Sequence, residues 1–431
     1  MSELKLNYKR TVLLGFAFMS ICAFWQLYDS IIPLILKNSF GVGDTMSGVV
    51  MAMDNVFALV LLPVFGALSD KTRTPLGKRL PFIITGTALA VVAMLFMPYG
   101  DNRGSFRMFI IALFVTLFAM SVYRSPAVAL MPDITPKPLR SKANAIINLM
   151  GAIGGVISLG LIAVLIKKGG KPDYQPLFAI IAGVMAVSVV IVSLSIRENK
   201  LVREMELTGG YGEPEPKAAK KGQKSKLPPD VLRSLIFILM SVFFWYMGYN
   251  AVSTAFSKYA QQVLGLGGGG FALSMMVATI AAVLTYIPAG LVATRIGRKK
   301  TIIIGVVLLS AAFGSAFFFT SYTPFINVLL GIAGIGWAAI NVNSYPMVVE
   351  MAKGDDVGRY TGYYYTFSMA AQILTPVLSG ALLEHVGYRT LFPYAVTFCL
   401  LALLTMAFVR HGDSKPQPAK SKLEMLDVDA D

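Results

Sequence analysis

Charged residues make up only 14% of this 431-residue chain, against 55% hydrophobic residues. Soluble domains average about 25% charge, so there is too little polar surface here for a water-soluble fold. Histidine is rarer still. His385 and His411 are the only two, and both stand at the ends of apolar runs. An imidazole proton relay inside a membrane is therefore excluded, and carboxylates must carry any proton that crosses with a solute. Cys22 and Cys399 are the only cysteines and lie within apolar runs. They read as small buried hydrophobes, with neither a disulfide framework nor a metal-ligand cluster.

Long apolar runs are abundant. Stretches of about 20 residues, each able to cross a ~30 Å hydrocarbon core as a helix, recur at 11–36, 46–69, 81–98, 106–131, 143–166, 176–196, 231–256, 271–294, 301–320, 325–350, 360–384 and 390–409. The first follows Lys5, Lys9 and Arg10 as a signal peptide would. Its apolar stretch is too long for one and lacks a small-residue cleavage site, so it is read as a span. The expected fold is all-α and integral to the membrane, with twelve transmembrane helices in two six-helix pseudo-repeats.

A formal charge of +15 invites a nucleic-acid reading until the charges are placed. With both termini inside, most of the 38 Lys and Arg fall in cytoplasmic segments and few in outer loops. The positive-inside rule thus accounts for the basic character, and no nucleic-acid partner is expected. The expected setting is the plasma (inner) membrane of a prokaryote, with the chain as a monomer.

Residues 197–230 interrupt the apolar pattern with Arg197, Lys200, Arg203, Pro214, Pro216 and a lysine-rich stretch to Pro228 and Pro229. They read as a cytoplasmic linker with nothing to bury, expected to be largely flexible. The linker separates an N-terminal half (1–196) from a C-terminal half (231–410), and a polar tail expected to be disordered follows at 411–431. The halves echo each other. Phe24-Trp25 answers Phe244-Trp245, Gly66 answers Gly290 and Pro126 answers Pro346, at a nearly constant spacing of about 220 residues. Two such halves suit a carrier that rocks one repeat against the other around a site at their interface.

The clearest motif runs Gly66-Ala67-Leu68-Ser69-Asp70-Lys71, then four residues later than usual Gly77-Lys78-Arg79, followed by Leu80-Pro81-Phe82-Ile83. It resembles the major facilitator signature between the second and third helices. Asp70 is expected to face a helix N-terminus, while Lys71, Lys78 and Arg79 hold the loop at the cytoplasmic face. A second copy, Gly290 to Lys299, has Thr294 where the first has Asp70. The lengthened first copy is similar to that of the glycoside–pentoside–hexuronide:cation symporters, sucrose-transporter-like branch. Arg124-Ser125-Pro126-Ala127-Val128-Ala129-Leu130, ending at Asp133, resembles that branch as well.

The resemblance implies a symporter that moves a sugar with a cation and needs no cofactor. Two departures qualify the cation site. Melibiose-type carriers hold carboxylates one and five residues before the second-span proline, where this chain has Leu62 and Ala58 before Pro63. Plant sucrose carriers hold a carboxylate in the fourth span, whereas no acid lies between Phe106 and Pro132. A proton is therefore expected in preference to sodium, at other acids.

An ionisable group inside the bilayer costs several kcal/mol unless paired, so each is a functional candidate. Asp29, Asp54 and Arg124 are the candidates for coupling. Asp54 and Arg124 stand at depths where they could pair; for Asp54 a coupling or substrate role is preferred to a purely structural ion pair or polar helix contact. Asp29 lies nearer the outer edge. For a sugar, aromatic faces cover CH patches while amides bond hydroxyls. Trp25, Gln26, Tyr28, Asn55, Trp245, Tyr249, Asn250, Trp337, Asn341, Asn343 and Gln372 are the substrate candidates; each single aromatic is more often a packing residue or interface anchor, so the amides Asn250, Asn341 and Asn343 weigh more. No metal site, nucleotide loop or Ser/His/Asp set is found in the spans: Gly267 to Gly270 lack the Lys-Ser/Thr of a phosphate-binding loop. An enzyme is not expected, and no sizeable extramembrane domain suggests a receptor. The competing reading is a major facilitator antiporter or exporter of another small organic solute.

This topology predicts that protease added to sealed right-side-out cells leaves the 197–230 linker intact. Cleavage there from outside would overturn the map.

Overall fold

In hydrocarbon a backbone N–H or C=O has no water to bond, so an apolar run satisfies itself as a helix. The computed structural model describes residues 6–136, 139–207, 228–351 and 357–413. Among these, twelve helices are long and apolar enough to cross a membrane. They are α1 (Tyr8–Asn38), α2 (Asp44–Lys71), α3 (Leu80–Asn102), α4 (Phe106–Ile134), α5 (Arg140–Leu165) and α6 (Gln175–Ser195), then α8 (Pro229–Gln262), α9 (Gly270–Ile296), α10 (Arg298–Ala316), α11 (Phe325–Val349), α12 (Val357–His385) and α13 (Leu391–Ala407). No strand occurs among the described residues. The all-α, twelve-span architecture matches the expectation from sequence.

The short α7 (Glu198–Leu207) stands where a largely flexible linker was expected. Its first residues have partners in the loop between α2 and α3, described below, which is why this part of the linker is ordered. Residues 208–227 of the linker and 414–431 of the tail lie outside the described residues.

Two compact units emerge. One comprises Met1–Gly43, Met53–Gly212 and Leu266–Met276; the other comprises Asp44–Ala52, Glu213–Gly265 and Val277–Asp431. Within the first, α1 packs on α5 and α6, and α3 packs on α4 and α6. Within the second, α8 packs on α12 and α13, and α10 packs on α11 and α13. The four pairings are the same under the shift from α1 to α8, so the sequence echo extends to the helix packing itself.

Close approach rests on small residues and on polar side chains that bond across helices. Gly151 and Gly154 of α5 face α1. A Cβ on Gly154 would strike the Met19 carbonyl, so that position admits only glycine at this helix spacing. Beside it the Tyr123 hydroxyl donates to the Ala17 carbonyl at 2.7 Å, and Ser158 Oγ donates to the Ala23 carbonyl at 2.6 Å.

One buried ion pair was not foreseen. The seventh apolar run was expected to end at 256, but α8 continues to Gln262 and carries Lys258 into a buried position. Its Nζ lies 2.8 Å from Oδ1 of Asp44, the first residue of α2. The Tyr388 hydroxyl donates to Asp44 Oδ2 at 2.7 Å, and the Thr45 N–H donates to Glu384 at 2.7 Å. Lys258 is 5% exposed and Asp44 fully buried, so removing one partner strands the other's charge in a dry site.

Lys258→Met should therefore cost about 3–5 kcal/mol, read as a lowered thermal midpoint in detergent. The double variant Asp44→Asn/Lys258→Met should recover most of the loss. A single variant as stable as the parent would show that the pair contributes nothing.

Candidate transport site

The first unit gathers an aromatic and charged group on α1, α2 and α4. On α1, Trp25 meets Phe24 and Tyr28 edge to face, with ring centroids 5.1 and 5.5 Å apart. The Arg124 guanidinium of α4 lies over the Trp25 ring, 5.8 Å from its centroid, the geometry of a cation–π contact. The buried Trp25 indole N–H has no hydrogen-bond partner among the described residues. Gln26, also on α1, donates to Ser30 Oγ at 3.1 Å and turns its carbonyl oxygen toward Gly155.

Asp54 on α2 accepts two bonds at one oxygen, from the backbone N–H of Asn55 at 2.6 Å and from its side-chain amide at 2.7 Å. Arg124 acts on Asp54 through its charge, but no ion pair joins the two among the described residues. The structure thus brings them into electrostatic range without locking them together. Asp29 and Tyr28 lie within the field of Asp54. Asp29, Asp54 and Arg124 are all only partly buried, although each sits well inside a long apolar helix.

The second unit has its own aromatic cluster. Tyr249 of α8 stacks on Trp337 of α11 with centroids 3.8 Å apart and planes 5° from parallel. Tyr246 meets the same indole edge to face at 5.2 Å. One turn along from Tyr246, the Asn250 side-chain N–H₂ is buried and has no hydrogen-bond partner among the described residues. Trp245 is fully buried, so its ring packs inside the unit. Asn343 is 2% exposed and donates to the Ala339 carbonyl of its own helix at 2.9 Å. Asn341 and Gln372 are half-buried, on α11 and α12.

The motif residues form one network at the ends of α2, α3 and α4. Arg79 binds Asp70, Ser69 Oγ and the Gly66 carbonyl. Its Nε also lies 2.8 Å from Asp133, where Lys78 arrives at 3.0 Å. Lys71 is exposed at the end of α2. Among the described residues Asp70 has Arg79 as its partner, and a different acid takes the N-terminus of α3. Glu198, the first residue of α7, accepts from the backbone N–H groups of Lys78, Arg79 and Leu80 at 2.9–3.0 Å. Asn199 beside it donates to the carbonyls of Thr74 and Pro75, in the added part of the loop, both at 2.9 Å. Gly77 has φ +124°, and a Cβ there would strike Glu198.

The second unit repeats the device. Gly297 has φ +94°, Arg298 pairs with Glu350, and the Lys299 N–H donates to Asp413 Oδ1 at 2.8 Å. Glu198 and Asp413 were missed because each stands alone, just past an apolar run. The signal was their common position after the sixth span of each half.

Twelve spans, a duplicated packing plan and this duplicated loop network define a multi-pass membrane carrier. A family model described as Major Facilitator Superfamily matches residues 14–285 and 269–427, and the chain belongs to that superfamily. It is similar to a sucrose transport protein of Arabidopsis thaliana, 26% identical over 31% of this chain and 25% of the relative. An uncharacterized symporter of Synechocystis is 27% identical over 55% of this chain and 40% of the relative. The alignments thus span about a quarter and two-fifths of those relatives' lengths. A multidrug resistance protein, MdtG of Escherichia fergusonii, is 21% identical over 93% of this chain and 94% of its own. Among solved structures, a POT family transporter in complex with 5-aminolevulinic acid superposes with a TM-score of 0.70. It is 10% identical and covers 93% of this chain and 95% of its own, a likeness of fold.

Replacing Glu198 by Gln turns an amide N–H₂ toward backbone donors. Glu198→Gln should cost about 1–3 kcal/mol, seen as a lower thermal midpoint. An unchanged midpoint would mean that the loop finds other acceptors.

Proposed function

We propose that this major facilitator transporter, of a superfamily whose members bind small-molecule substrates, is a proton-coupled symporter of a sugar, of the di- or oligosaccharide or glycoside class, working by alternating access in the plasma membrane as a monomer. The observation that carries this reading is Asp54, a partly buried carboxylate inside a span, within the field of Arg124 yet in no ion pair among the described residues. A proton that neutralises Asp54 removes its attraction for Arg124, which then has only the Trp25 face and its surroundings to answer to. Protonation and the shape of the site are linked in this way. The unpartnered N–H groups of Trp25 and Asn250 support a hydroxyl-rich solute, since buried donors must find acceptors. The aromatic faces of Trp25 and Trp337 suit the CH face of a sugar ring. The local likeness to a sucrose transport protein supports the same substrate class. Transport rather than catalysis is the proposed activity.

The full-length likeness to a multidrug resistance protein favours one competing reading, an exporter of another organic solute. Uptake of a labelled disaccharide into vesicles, with a proton or a sodium gradient imposed in turn, separates them. Accumulation driven by the proton gradient is expected; its absence, with outward movement of an apolar dye instead, would favour the exporter. Asp54→Asn mimics the protonated acid and should abolish uphill accumulation while leaving sugar exchange measurable. Retained accumulation in Asp54→Asn would move coupling elsewhere, with Asp29 the next residue to test.

A further inference from the structure

A groove of about 480 Å³ runs between α3 and α4 on the face of the first unit, with Leu89, Val92 and Phe96 on one wall and Ile111 and Val115 on the other. These five side chains are 37–57% exposed, so the groove opens outward from the unit instead of forming part of its core. Its lining is apolar except at one end, where Ser105 and Arg107 close it. Arg107 is exposed and has no ion-pair or hydrogen-bond partner among the described residues. Arg103, the residue after α3, is exposed as well, and among the described residues its side chain rests on the Tyr99 ring, 4.4 Å from its centroid. The nearby Lys171, by contrast, is paired with Asp101 at 3.0 Å.

Arg107 precedes Arg124 by 17 positions on α4, roughly 25 Å at 1.5 Å per residue. The cationic end of the groove is therefore far from the candidate transport site. It also lies at the opposite end of α3 from Arg79 and the motif loop. On the topology read from the charges, that end faces the outer leaflet. A slot that is apolar along its length and cationic at its mouth fits an amphiphile with one anionic head. We infer that the α3–α4 groove is a binding site for an anionic phospholipid, with an acyl chain between the two helices and the phosphate at Arg107. A zwitterionic lipid brings its own cation along with its phosphate, so it leaves the net positive charge at Arg107 uncompensated, as a neutral lipid does.

Native mass spectrometry of the full chain, taken from nanodiscs holding equal amounts of phosphatidylglycerol and phosphatidylcholine with identical tails, tests this. The wild type should retain one phospholipid, phosphatidylglycerol being favoured at least threefold. Arg107→Gln should bring the two lipids to near-equal retention. Val92→Trp and Ile111→Trp, each at an exposed wall position that leaves the helix packing alone, should lose the bound lipid of either kind. Equal retention of both lipids by the wild type would overturn the inference. So would undiminished selectivity in Arg107→Gln, or a retained lipid in both tryptophan variants.

Discussion

Hydrocarbon offers a peptide group no partner, and every other feature of this protein is arranged around that shortage. It makes each apolar run a helix, and it makes the carbonyl freed by an interior proline such as Pro33, Pro63 or Pro126 costly unless neighbouring groups take it up. It also removes the hydrophobic drive for helices to associate, which leaves close packing and cross-helix hydrogen bonds to do so. Gly154 against Met19 and Tyr123 against Ala17 are both answers to that requirement.

Under the same constraint the charges divide into those that are neutralised and those that are not. Asp44 has Lys258 and Tyr388, and Asp133 has Lys78 and Arg79. These groups fix helix ends. Asp54 and Arg124 are treated differently: among the described residues one is held by Asn55 and the other by the face of Trp25. A charge left so loosely held within a span is costly to stability, which makes both residues candidates for function.

Duplication explains how the two loop networks arose in parallel while differing in strength. Glu198 reads three successive backbone N–H groups, whereas the shorter Asp413 reads one. Arg79 reaches both Asp70 and Asp133; Arg298 has Glu350, and Thr294 stands where the second carboxylate would be. Each network begins at a glycine in the left-handed region, where any side chain would be strained and would collide with the seated acid at Gly77.

Hydropathy periods are local properties, so the sequence by itself determined the twelve spans, and the paired Phe24-Trp25 and Phe244-Trp245 already marked an echo between the halves. The motif from Gly66 to Arg79 was legible for the same reason, because its residues are neighbours along the chain. Partners far apart in the chain were not legible. Asp44 finds Lys258 across 214 positions and Tyr388 across 344, and only the packing of α2, α8 and the segment before α13 brings them within 3 Å. Tertiary structure likewise decided which of the candidate side chains are occupied. Asn343 spends its amide on Ala339 of its own helix, while Asn250 holds a buried N–H₂ with no partner among the described residues, a difference set by the direction each side chain takes from its helix and by what stands there.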